Sequence, residues 1–165
     1  MDVSDLGDLE AIKRLKYRYL RCLDQKRWDD IVDCFTEDAT ASYGGGAYEF
    51  EGRDAIVAFL RDSMGSERFL SSHRCGHPEI DLTGTDTAAG IWSLDDTVIH
   101  LDFNVVIRGA AFYEDEYARI NGGWRIRHTG YRRTWEEMEP RRDDVRLTAS
   151  WWETGGRSTL LDREP

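Results

Sequence analysis

The chain has 165 residues, 40% apolar and 12% aromatic, which fits one domain at roughly 150 residues per domain and supplies enough apolar material for a packed core. It carries 32 acidic against 22 basic residues, a net charge of −10; nucleic acid and anionic membrane surfaces call for positive potential, so both are disfavoured as partners. No apolar run approaches the roughly 18 residues of a membrane span, and the acidic N-terminus lacks the apolar centre of an export signal, so the expectation is a soluble cytoplasmic protein.

Leu9, Ile12, Leu15, Tyr19 and Leu23 recur at three- and four-residue steps, the period of an amphipathic helix over about 5–23, with Ser4 or Asp5 as its cap. Asp24-Gln-Lys-Arg interrupts it, and Trp28, Ile31, Val32 and Phe35 predict a second, short helix. A strand is expected over 39–43, a turn at Gly44-Gly-Gly, where positive φ is cheap, and a returning strand over 48–50. Gly52-Arg-Asp-Ala opens a third helix that turns Ile56, Phe59, Leu60 and Met64 inward. The period then changes to two, and strands are expected over 69–75, 79–82, 88–100, 105–119 and 124–134. Helices gathered at the start and an antiparallel meander at the end predict an α+β fold. The charged tail from Glu136, with Trp151-Trp152, is expected to cap the pocket or to pack on the same domain or a neighbouring subunit. Cys22, Cys34 and Cys75 are odd in number and far apart, which favours small buried apolar groups over a disulfide framework or a zinc site.

Four stretches carry a resemblance. They are Asp24-Gln-Lys-Arg-Trp, Phe35-Thr-Glu-Asp-Ala-Thr, Gly52-Arg-Asp-Ala-Ile and Tyr117-Ala-Arg-Ile-Asn-Gly-Gly-Trp-Arg-Ile. Their order resembles the SnoaL-like proteins of the nuclear-transport-factor-2-like, or cystatin-like α+β, superfamily. The resemblance covers residues 5–135 and sets the expected domain at 1–135, with 136–165 as the tail. It implies a cone-shaped α+β barrel, a curved antiparallel sheet wrapped around the N-terminal helices, with one open and mostly apolar pocket. It implies no single reaction, because the superfamily includes isomerases, dehydratases, cyclases, a dehydrochlorinase and binding modules.

Read from the residues alone, Asp24 could cap the second helix and His73 could be a core histidine. The resemblance places them on the Asp–His dyad of scytalone dehydratase, bile-acid 7α-dehydratase and hexachlorocyclohexane dehydrochlorinase. A carboxylate on one ring nitrogen fixes the tautomer and makes the other nitrogen the base. Tyr19, on the inward stripe before Asp24, and Tyr43, at the end of the first strand, offer phenols to an oxygen that gathers charge. A ketosteroid isomerase pattern does not fit, since its catalytic carboxylate would fall at or near Tyr43. Period-two alternation puts Trp92, Leu94, Asp96, Val98 and His100 on one strand face. The resemblance places a catalytic Asp at Asp96, with Asp95 the one-residue alternative. His100, Trp92, Leu94, Phe59 and His128, the last on the same strand as Trp124 and Ile126, are expected to contact the substrate. Arg125, Arg127, Arg132 and Arg133 with Arg141-Arg142 read as a solvated face interleaved with acids, able to attract a carboxylate or phosphate.

The four histidines show no metal-ligand spacing, and no phosphate-binding glycine loop is present, so neither a metal nor a cofactor is expected. The resulting reading is a cofactor-independent lyase of the dehydratase type. It would remove a proton next to a carbonyl and eliminate water from a cyclic, mostly apolar hydroxy-ketone such as a steroid, bile acid or polyketide. A dehydrohalogenase, cyclase or isomerase with the same base, and a non-catalytic small-molecule-binding module, are the alternatives. Aromatic residues on both strand faces predict a homodimer or homotrimer.

Overall fold

The computed structural model of the chain describes residues 3–160 and residue 162. The elements run α1 (Val3–Asp24), α2 (Trp28–Val32), β1 (Phe35–Tyr43), β2 (Tyr48–Glu51), α3 (Arg53–Met64), β3 (Phe69–Gly84), β4 (Thr87–His100), β5 (Val105–Ile120) and β6 (Gly123–Pro140). The first helix already includes positions 4 and 5, so neither Ser4 nor Asp5 stands at its cap. The strand after α2 begins at Phe35 rather than Ala39, and Phe35 is buried there as part of the sheet.

One six-stranded sheet has the order β2-β1-β6-β5-β4-β3. Its neighbours are antiparallel except β1 and β6, which run parallel. The sheet is therefore mixed, and its long meander, β3 to β6, carries the antiparallel part. The two expected strands over 69–75 and 79–82 are one strand, β3, interrupted by a register shift between Gly76 and Glu79. His77 has φ 48° inside that bulge, and Pro78 has no N–H to give the ladder.

The inner face of the sheet and the helices share the core: Ile12, Tyr19 and Leu23 from α1, Ile56 and Leu60 from α3, Trp92, Leu94, Tyr113, Tyr117 and Ile126 from the strands. Gly52, at φ 89°, turns the chain from β2 into α3 while its N–H reaches the Ala39 carbonyl at 2.8 Å. A residue with a side chain would be strained in that conformation.

β6 departs twice from simple alternation, with register shifts opposite Glu116/Tyr117 and opposite Ala110/Ala111. Before the first shift Trp124 and Ile126 face inward; after it Thr129, Tyr131 and Arg133 do, and His128 turns to the outer face. The second shift returns Trp135 to the outer face, opposite Ala110. Of the aromatic residues expected on both faces, Phe112 and Trp135 stand exposed outside, while Tyr113 and Trp124 are buried.

The strand β6 continues through Pro140, past the expected end at Thr134. Beyond it Val145, Arg146 and Leu147 share a cleft with Ile99 and Val106 on the outer face of β4 and β5. Further on, the centre of the Trp152 ring lies 4.7 Å from Lys26 Nζ, beside the turn that ends α1. Among the described residues no helix is long and apolar enough to cross a membrane.

Candidate active site

Asp24 is the last residue of α1, and His73 is the fifth residue of β3. The residue before α2 is Arg27, with no side-chain cap bond, so Asp24 does not serve that helix. Its carboxylate instead takes three donors from β3. His73 Nδ1 lies 2.7 Å from Oδ1, the His73 backbone N–H donates to Oδ2 at 2.9 Å, and Ser71 Oγ donates to Oδ1 at 2.8 Å. With a carboxylate as its acceptor, Nδ1 donates, and in the neutral ring that leaves the lone pair on Nε2. The two extra donors fix the carboxylate and hence the plane of the ring. The His73 side chain is 9% exposed and that of Asp24 24%, so the pair is sheltered and still reachable.

Asp96 is the register partner of His73 across the β3–β4 ladder, and its side chain is 8% exposed. Asp95 is exposed on the other face. Arg133 binds Asp96 bidentately, Nη1 to Oδ1 at 2.5 Å and Nη2 to Oδ2 at 2.8 Å, and its Nε lies 3.0 Å from Glu136. Arg133 is therefore part of the inner face and not of a solvated one. The β6 bulge brings it there, since alternation continued from Trp124 and Ile126 would leave it outside. The guanidinium fork engages both oxygens of the Asp96 carboxylate.

The Tyr19 and Tyr43 hydroxyls are 3.3 Å apart and buried. Burial pushes both hydroxyls, and that of Tyr113, above the ordinary phenol range, so all three remain protonated. Leu94 is buried on the Asp96 face of β4. Trp92, on the same face, donates Nε1–H to Tyr117 Oη at 2.9 Å and belongs to the closed core. Phe59 stacks on Phe50 at 4.4 Å and on Tyr43 at 5.9 Å. His100 packs its ring on Phe69 and Phe103, and its buried Nδ1 has no hydrogen-bond partner among the described residues. His128 does not join these residues. Its Nδ1 pairs with Thr40 Oγ1 at 2.7 Å and it lines an outer notch with Phe112, Glu114 and Arg132.

The sequence reading missed one feature of the inner face. Lys16 and Asp115 form a wholly buried ion pair at 2.7 Å. Lys16 Nζ also lies 3.4 Å from the centre of the Tyr113 ring. Asp115 accepts from Tyr117 Oη and Thr129 Oγ1, each at 2.7 Å. A signal for both was present: Lys16 lies four residues after Ile12 and three before Tyr19, and Asp115 alternates with Tyr113 and Tyr117. Cys22, Cys34 and Cys75 are free thiols. Among the described residues no three His, Cys, Asp or Glu side chains converge as a metal site needs.

A curved sheet packed on N-terminal helices places the chain in the α+β class, and a Nostoc punctiforme protein with a cystatin-like fold superposes on it with a TM-score of 0.63 at 22% identity, over 81% of this chain and 95% of that one. Residues 4–130 match the SnoaL-like domain, and the chain belongs to that family. An uncharacterized protein of Mycobacterium tuberculosis is 27% identical over 130 residues, covering 76% of this chain and 85% of its own. Among solved structures, a protein of Novosphingobium aromaticivorans assigned as a scytalone dehydratase superposes with a TM-score of 0.77 at 22% identity, over 96% of this chain and 99% of that one. A hexachlorocyclohexane dehydrochlorinase of Novosphingobium barchaimii gives 0.76 at 18% identity, over 89% and 98%. At these identities the likeness is one of fold.

Proposed function

We propose that the chain is a cofactor-independent lyase that eliminates water from a hydroxy-ketone with a cyclic, mostly apolar skeleton. The observation that carries this reading is the Asp24–His73 pair, 2.7 Å apart and fixed by two further donors on the carboxylate. His73 Nε2 takes the proton from the carbon next to the carbonyl, and Asp24 stabilises the imidazolium that forms. The enolate oxygen is served by neutral hydroxyls, for which Tyr19 and Tyr43 are the candidates. The His73 imidazolium then gives its proton to the departing hydroxyl. It leaves as water, the carbon–carbon double bond forms, and neutral His73 is restored, so the cycle consumes no other reagent. The likeness of fold to a protein assigned as a scytalone dehydratase supports the same class.

A halide leaving group would use the same base and need no proton. It would favour a free cation nearby, but Arg133 is already shared between Asp96 and Glu136, so water is the leaving group argued for here. The experiment is turnover of a panel of cyclic hydroxy-ketones and chlorinated analogues, following water or chloride release, with wild type and His73→Ala. The expected result is water release that falls at least ~10²-fold in His73→Ala while circular dichroism stays native. Chloride release alone moves the chain to the dehydrohalogenases. Full activity in His73→Ala, or tight retention of an unchanged ligand with no turnover, overturns the reading.

A further inference from the structure

The helix α1 turns Ile12, Lys16, Tyr19 and Leu23 into the core and leaves Arg14, Tyr17 and Arg21 exposed. Where its outer flank meets the start of β6, Arg14, Arg18, Arg21 and Arg125 line a groove of about 520 Å³ together with Tyr17 and Trp124. Four guanidiniums around one groove run against a composition of 32 acidic and 22 basic residues. Several arginines elsewhere meet carboxylates, as Arg68 does with Asp102, Arg108 with Glu139, and Arg157 with Asp162, while among the described residues Arg74, Arg127, Arg132, Arg141 and Arg146 make no ion pair.

The groove arginines largely belong with the latter. Among the described residues neither Arg14 nor Arg21 makes an ion pair, and Arg21 Nη1 lies 3.5 Å from Gln25 Oε1. Arg125 donates to the neighbouring Trp124 carbonyl at 2.9 Å. Its guanidinium rests over Gly123, where an added Cβ would come within 2.9 Å of Nη1. Carboxylates also border the site, among them Glu10, one helical turn before Arg14. Asp33 is 3.7 Å from Arg18, while Asp8 is already bound by Arg119 at 2.6 Å and by Trp124 Nε1 at 3.0 Å.

Positions 14, 18 and 21 fall on one helix face and span about 10 Å along the axis. Like charges at that spacing cost stability when nothing lies between them. A guanidinium binds phosphate oxygens in a bidentate fork, and a row of them matches adjoining phosphates better than a single carboxylate. The half-exposed Tyr17 ring supplies a flat apolar face beside the row, and the groove has the volume of a small-ligand site, typically about 300–1,000 Å³. We infer that this groove binds the diphosphate group of a small organic ligand.

The test is calorimetric titration of the full chain with ADP and with inorganic pyrophosphate, repeated on Arg14→Gln/Arg21→Gln and on the charge-matched control Arg108→Gln/Arg142→Gln. Arg14 and Arg21 are exposed, so the first variant keeps its circular dichroism spectrum. At least one probe is expected to bind with Kd below about 1 mM. Its affinity should fall at least tenfold in the groove variant and less than twofold in the control. Tighter binding of ADP assigns the group to a ring-bearing ligand resting on Tyr17; equal or tighter binding of pyrophosphate assigns it to the free anion. Absence of binding by both probes overturns the inference. So does binding that survives the groove substitutions, or that falls as far in the control.

Discussion

Two aspartates on the inner face of the same sheet each meet one basic side chain, and their surroundings differ. Asp115 and Lys16 are wholly buried, and Tyr117 and Thr129 supply the carboxylate's remaining donors. Asp96 and Arg133 are 8% and 21% exposed and stand beside His73. The chemistry of the pairs is alike, and access to solvent separates them. A closed pair can only hold elements together, here α1 to β5. A sheltered but reachable pair beside a histidine can hold a reacting group in place.

Lys16→Met tests the closed end and carries the largest expected effect. It leaves Asp115 buried without its cation, which costs about 3–5 kcal/mol, read as a lowered urea midpoint. Lys16→Met/Asp115→Asn should recover part of that loss. A midpoint unchanged in the single variant would mean that the pair does not hold α1 to the sheet.

Asp24→Asn tests the reactive end. Loss of a charge-assisted hydrogen bond of about 1.5–3 kcal/mol corresponds to roughly ten- to a hundredfold in rate. Turnover of whichever hydroxy-ketone the panel identifies should fall by that factor, with the urea midpoint moved far less than in Lys16→Met. If the ranking is reversed, with stability lost and rate kept, Asp24 is a structural anchor and the contrast between the two ends fails.

Alkaline pH tests burial in both regions, because each holds neutral acids. Burial pushes the Cys34 thiol up to about 12 and the Cys75 thiol up to about 11, from an ordinary 9.0. It also raises the phenols of Tyr19, Tyr43, Tyr113 and Tyr117. A group whose folded pKa is raised contributes fully below its unfolded pKa and loses that contribution as pH climbs through the folded one. The urea midpoint should therefore fall between pH 9 and 11, less steeply in Cys34→Ala. A flat midpoint across that range would show that these groups do not stay protonated in the folded chain.

The smallest expected effect on the fold concerns the outer face, where Ile91, Phe112 and Trp135 are each nearly half exposed. Apolar residues standing together on a sheet face favour association with a second copy. A homodimer or homotrimer by light scattering at micromolar concentration is the expected outcome, with Phe112→Asp monomeric and as stable to urea as any monomeric form. A monomeric wild type would return this face to solvent.

Much of this was legible in the amino-acid order. The three- and four-residue steps of α1, the glycine entry to α3 and the alternation in β4 and β5 located the elements, because local backbone preference and one-sided burial leave a periodic trace. Asp24 and His73 could be singled out by the resemblance, and Asp96 by its alternation with Leu94 and Trp92. Three things were decided by tertiary structure. The bulge in β6 has no glycine at Arg127 to announce it, yet it turns Arg133 inward and His128 outward, and so decides which cation meets Asp96. Lys16 reads as a surface lysine until β5 places Asp115 against it, because the energy that keeps a charge buried comes from a partner on the fifth strand of the chain. The arginine groove joins one face of α1 to the first residues of β6, and only folding brings those charges together.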